Sequence, residues 1–237
     1  MKYSILLLFS TILFTNTFAQ SYDLKKPVTA AEVIYLQQTI HAIAESDQRY
    51  RKFISANTLD ETVIDKMDAV YEADGIEAYM KYCASLNLQL EQSIKDSLWN
   101  LQHQIDLANH LALRGIFETY GFLPESMLPE KHYVQLIILL HPPKDWNIPN
   151  YLSDYSQLLQ AEVEAGRMEA KTFATFYDNI KVKILREPQL YGTNQVFDVS
   201  TNSVQPPSIV SIEATNEARE ELGLKPLKEG EYRLIAK

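Results

Sequence analysis

Residues 90–120 read LEQSIKDSLWNLQHQIDLANHLALRGIFETY. Ile94, Leu98, Leu101, Ile105, Leu113, Ile116 and Phe117 recur in it at helical spacing, and Gly121 follows in the position where helices commonly stop. The stretch therefore predicts one long helix with an apolar face. Gly115 inside it costs up to about 1 kcal/mol of helix propensity, which predicts a close crossing of another element there.

Upstream, Thr29-Ala-Ala-Glu32 and Thr58-Leu-Asp-Glu61 have the spacing of capping boxes, in which Thr and Glu reciprocally satisfy backbone N–H groups at a helix entrance. The first predicts a helix running to about Phe53, with Val33, Leu36, Ile40 and Ile43 on one face. The second predicts a helix over about 59–73, and Asp74-Gly75 starts another over about 75–87. Downstream, an apolar run ends at His141-Pro142-Pro143, because proline disfavours helical geometry in the residue before it. Helices follow over about 150–165 and 168–186. After Glu187-Pro188 the pattern changes: Leu190–Phe197 and Ser203–Gln205 flank a polar turn segment and predict a short β-hairpin. A short helix over about 215–222 and a tail complete the chain. With no internal repeat and no low-complexity linker, the expectation is a mainly α, single-domain helical bundle with a short C-terminal β-hairpin.

The first residues have the features of a secretory signal. Lys2 is the positive start, Ile5–Phe14 is the apolar core, and Thr17-Phe18-Ala19 offers small residues at a cleavage position. Residues 1–19 are read as a signal peptide and 20–237 as the domain, which places the protein outside the cytoplasm, periplasmic or secreted. No later segment is apolar for long enough to span a bilayer, so no membrane span is expected after cleavage. The chain is acidic, with a formal net charge of −9. Phosphate contacts need a clustered cationic surface, so a nucleic-acid partner is not expected. Lys181, Lys183 and Arg186 form a basic cluster, read as cations suited to a helix end. Cys83 is the single cysteine. It has no intrachain partner and reads as a small buried hydrophobe.

Several residues could carry chemistry. His103, Asp106 and His110 lie at offsets of three and seven on the long helix, a face geometrically able to hold a metal; a solvated polar face is the preferred reading, and no metal or cofactor is expected. Asp47 and Arg51, four apart, read as an exposed helix pair of small energetic weight. His141 stands at the end of a buried apolar run, before two prolines, where a histidine either caps helix carbonyls or faces a site. Gln189–Thr193 is a dense polar segment in which Gly192 permits close approach, and Tyr191 and Thr193 would share one side of a strand. The chain contains no Gly-rich phosphate loop, nucleophile elbow, HExxH or CxxC.

These residues resemble the bacterial domain-of-unknown-function family DUF6624 over about residues 44–228. Asp47-Gln48-Arg49-Tyr50-Arg51 is similar to that family's D-Q-x-x-R, and Asp106-x-x-Asn109 with the following Gly121 to its D-x-x-N…G-W-P. His141 after an apolar run, Asp178, Pro188-Gln189-Leu190-Tyr191-Gly192-Thr193 and Arg219-x-x-Leu222-Gly223-Leu224 follow in the same order. The chain departs from the pattern at Phe122, Asn179, Asn194 and Pro129. The resemblance sets His103 and His110 aside and implies a polar network of Gln48, Arg51, Asp106, Asn109, His141, Asp178, Gln189, Tyr191 and Thr193. Such a set either locks helices together or lines a cleft for a small polar ligand. The leading expectation is an exported binding or interaction module for such a ligand or for a protein, with its polar site around His141 and Gln189–Thr193. The alternative is a hydrolase-like enzyme with His141 as general base, oriented by Asp106 or Asp178.

Overall fold

The computed structural model describes residues 23–198 and 203–235. The signal expected in residues 1–19 and the turn of the hairpin lie outside them. Helices dominate. Thr29 caps α1 (Ala30–Asp47) with the expected reciprocal box: the Glu32 N–H donates to Thr29 Oγ1 at 3.2 Å, and the Thr29 N–H to Glu32 Oε2 at 2.8 Å. Leu36, Ile40 and Ile43 line its buried face. The predicted run to Phe53 is broken at Gln48–Tyr50, where the Tyr50 N–H turns to Gln102 Oε1 at 3.0 Å, and a separate α2 (Arg51–Ala56) follows.

The second predicted capping box is corrected. Asp60, not Thr58, caps α3 (Glu61–Leu86) by accepting from the Thr62 N–H at 2.9 Å. The two helices expected around Asp74-Gly75 are one α3, kinked where Gly75 takes φ 79° and ψ −174°. That conformation is open essentially to glycine alone.

The long helix is α4 (Gln92–Tyr120), stopped at Gly121 with φ 85°. Its C-terminal half buries Leu113, Ile116 and Phe117 as expected, but the N-terminal half reverses the pattern. There Gln102, Asp106, Asn109 and His110 are buried, whereas Leu101, Leu107 and Leu111 are exposed. Apolar spacing is the same for a stripe that faces a core and for one left outside where polar side chains satisfy each other within. Gly115 marks no close crossing: a side chain there would meet open space.

Helix α5 (Val134–Leu139) leads into His141, and α6 (Ile148–Glu164) starts on Asn147, which accepts from the Asn150 N–H at 3.0 Å. Helix α7 (Ala170–Asn179) continues as a π-helical turn over Ile180–Leu185, ended by Arg186 in the left-handed region. Leu36, Leu113, Phe117, Phe122, Leu139, Tyr155 and Phe173 belong to the main core that α1 and α4–α7 share. A smaller cluster of Ala56, Ile64 and Met67, with Cys83 half-buried against it, lies between α2 and α3.

The predicted hairpin is present but shorter: β1 (Val196–Asp198) pairs antiparallel with β2 (Ser203–Gln205). Residues 190–195 are a loop rather than strand, so the shared strand side expected for Tyr191 and Thr193 does not arise. A second pairing was not foreseen. Strand β3 (Ser208–Ile209) runs parallel to β4 (Arg233–Leu234), with α8 (Ile212–Glu221) between them, so the segment read as a tail is folded back. Among the described residues, no helix is long and apolar enough to cross a membrane.

Candidate functional site

The polar residues singled out from sequence separate into two groups. The first lies where the end of α1, the start of α2 and the polar half of α4 meet. Arg51 donates from Nη1 and Nη2 to the two oxygens of Asp106 at 2.8 and 2.9 Å, a bidentate pair. The same Nη1 lies 3.5 Å from Asp47 Oδ1 and donates to the Asp47 carbonyl at 3.0 Å. Gln102 Nε2 donates to the Asp47 carbonyl and to Asp106 Oδ1, each at 2.9 Å. The Asp47–Arg51 pair, read as exposed, is buried, with side chains 3 % and 12 % accessible. Gln48 extends from this group toward solvent and donates to Asp47 Oδ2 at 2.6 Å. Asn109 joins through Ser46, whose hydroxyl lies 3.0 Å from Asn109 Oδ1.

His141 is tied to this group by Asp47. Its Nδ1 donates to Asp47 Oδ1 at 2.9 Å, which leaves Nε2 as the ring nitrogen without a hydrogen-bond partner among the described residues. The imidazole is 27 % accessible. The orienting carboxylate is thus Asp47. Neither Asp106, engaged by Arg51 and Gln102, nor Asp178 serves that role. Burial by itself pushes the Asp47 carboxyl upward, but the hydrogen bond and charge of His141, with Arg51 and Gln48, outweigh it and hold the group below the usual carboxylate range. A cleft of about 260 Å³ opens beside Asp47 and Gln48, walled by Lys131, Tyr133 and Ile137, and His141 is not on its wall.

The metal face does not assemble. His103 stacks on Trp99 with ring centroids 5.5 Å apart, Asp106 turns to Arg51, and His110 is fully buried against Trp146, Tyr151 and Tyr155. His110 Nε2 donates to the His141 carbonyl at 2.9 Å. Burial pushes its imidazole down to about 4, so the ring is neutral at pH 7.

The second group forms around Asp178 at the end of α7, fully buried. Its Oδ1 accepts from the Leu190 and Tyr191 N–H groups at 2.9 and 3.0 Å, and its Oδ2 from the Thr193 N–H and hydroxyl at 2.9 and 2.8 Å. Gln189 closes the same loop: its amide exchanges hydrogen bonds of 2.8 Å with the N–H and carbonyl of Asn194. Tyr191 packs its ring on Phe173 and Tyr177, and its carbonyl accepts from Arg219 Nη1 at 2.7 Å. Gly192 has φ 63°, and a Cβ there would stand 2.8 Å from Leu227 Cδ1. This pinned loop forms one wall of a cleft of about 870 Å³, to which Gly192, Thr193, Asn194, Arg219 and Leu227 contribute.

Among the described residues, no hydrogen bond joins the His141 group to the Asp178 group. Asp47, Gln102 and Arg219 are the participants that pattern reading undervalued. Asp47 stands first in the D-Q-x-x-R segment, and Gln102 is four residues before Asp106, the spacing of a helix-face pair. No protein-family model matches the chain, and no curated protein or solved structure matches it either.

Proposed function

We propose that the chain is an exported binding module, of the DUF6624 kind, that takes a small polar ligand in the cleft beside Gln189–Thr193. The observation that carries this reading is the pinned loop. A buried carboxylate holds three backbone N–H groups of one loop and one hydroxyl, so Gly192, Thr193 and Asn194 are presented to the cleft in a fixed arrangement before any ligand arrives. Preorganisation of this sort lowers the entropy lost on binding. A thermal-shift screen of a polar metabolite library tests it. At least one compound is expected to raise the melting temperature of the native chain but not of Gln195→Trp, which fills the exposed rim of the cleft. Hits indifferent to Gln195→Trp, or none at all, count against the reading.

A second reading rests on the 2.9 Å contact of His141 Nδ1 with the buried Asp47 carboxylate, the geometry of an oriented general base. It predicts turnover of activated esters or amides that His141→Ala abolishes and Asp47→Asn reduces, with circular dichroism unchanged. The binding reading is preferred because no serine, threonine or cysteine side chain is hydrogen-bonded to His141 among the described residues, and the nearby cleft does not include its ring.

A further inference from the structure

The charge of the large cleft is opposite to that of the chain. Acidic residues outnumber basic ones by 31 to 22 overall. Yet Lys171, Arg219, Lys225 and Lys228 line this cleft against a single carboxylate, Glu231. Arg219 is the best-placed of the four. Its Nη1 donates to the Tyr191 carbonyl at 2.7 Å and its Nε to the Lys225 carbonyl at 2.6 Å. Both of these partners are neutral, and the carboxylates that act on the guanidinium, Asp178 and Glu231, do so through charge alone, with no ion pair to it and no hydrogen bond from its Nη2 among the described residues. The side chains of Lys171, Lys225 and Lys228 likewise make no ion pair among the described residues. Glu231 is itself engaged by the Lys228 N–H at 2.8 Å. On the same wall, the buried Nδ2 of Asn194 has no acceptor among the described residues, although its Oδ1 accepts from Asn179 at 3.0 Å. A site rich in donors and cations and poor in acceptors selects for a ligand that supplies acceptors and negative charge.

We infer that the cleft between the Gln189–Asn194 loop and the Lys225–Glu231 segment binds a small ligand bearing a carboxylate or phosphate group, with Arg219 as its central contact. This rests on the cleft being the binding site. Three features favour it: the fixed guanidinium, its fork shape suited to oxyanions, and three lysines lining the same cleft.

The test is a titration of the full chain, followed by backbone amide resonances of Gly192, Thr193 and Gly230, with citrate, inorganic phosphate and glucose as separate probes. Citrate or phosphate is expected to move these signals to saturation, glucose is not, and sodium chloride is expected to weaken the effect. Each of the exposed substitutions Lys225→Gln and Lys228→Gln is expected to weaken binding by about 2- to 5-fold. Shifts by citrate or phosphate that persist unchanged in the double variant mean an adventitious ion only, and overturn the inference. Movement with glucose and none with the anions overturns the anionic assignment while leaving the cleft as a binding site. Silence from all three probes also overturns it, and the cleft reading then stands or falls on the thermal-shift screen.

Discussion

Asp47 shows how far a residue's meaning depends on what surrounds it. As half of an i,i+4 pair it is worth a few tenths of a kcal/mol on a solvated helix. Inside the contact between α1 and α4 it is one of two buried carboxylates served by one guanidinium. Replacing Arg51 with methionine removes that service while keeping the volume. It is expected to cost about 3–5 kcal/mol in urea denaturation, because two buried charges lose their partner. A loss under about 1 kcal/mol would mean that Gln102 and His141 suffice. The pH dependence has a definite sign. The folded state holds the Asp47 carboxyl below its ordinary value, so the unfolded chain binds a proton there more readily. The stabilisation is therefore complete above the unfolded value near about 4 and fades as the pH falls through the lower folded one. The stability gap between the native chain and Asp47→Asn should narrow below about pH 4, and an unchanging gap from pH 7 to pH 3 contradicts the assignment.

At the scale of elements, two helix ends depend on single groups. Gly121 ends α4 at φ 85°, and a Cβ there would lie 2.6 Å from Glu162 Oε2 and 2.9 Å from Arg167 Nε. Glu162 uses that same oxygen to accept from the Phe122 N–H and from Arg167. Gly121→Ala is expected to lower stability by about 2–4 kcal/mol, combining left-handed strain with displacement of a buried carboxylate. Asp178→Ala, which orphans three backbone N–H groups, is expected to cost about 3–5 kcal/mol and to disperse the amide resonances of residues 190–193. The helices themselves were legible because caps and periodicity are local: Thr29 and Gly121 announce their roles within four residues. What was not legible is long-range. The burial of Gln102 and Asp106 is decided by Arg51, some fifty residues away, and the loop over 190–195 looks like a strand until the carboxylate of Asp178 is seen beneath it. The pairing of β3 with β4 escaped notice for the same reason, since two-residue strands have no periodicity to read.

The molecule as a whole is unevenly packed. The core around Phe117, Phe122 and Tyr155 contains many fully buried side chains, whereas α3 contributes only Ile64 and Met67 as buried residues over its whole length and bends at Gly75. Local opening should follow that distribution. In native-state hydrogen exchange, amides of α3 are expected to exchange at a markedly lower free energy than those of Leu113–Phe117 in α4. Equal protection across the two helices would show that the satellite cluster is welded to the main core.

The clamp at Asp178 bears on how this surface could change over generations. It grips main-chain N–H groups at Leu190, Tyr191 and Thr193, and only at Thr193 does it also hold a side chain, the hydroxyl. Within the loop, Tyr191, Gly192 and Thr193 are further held by ring packing, by a positive φ and by the hydroxyl, so Leu190 is the gripped position most open to drift, and the substitution barred at all three gripped positions alike is proline, which has no N–H to offer. The form of the loop is thus set from beneath, by a template kept out of solvent in α7.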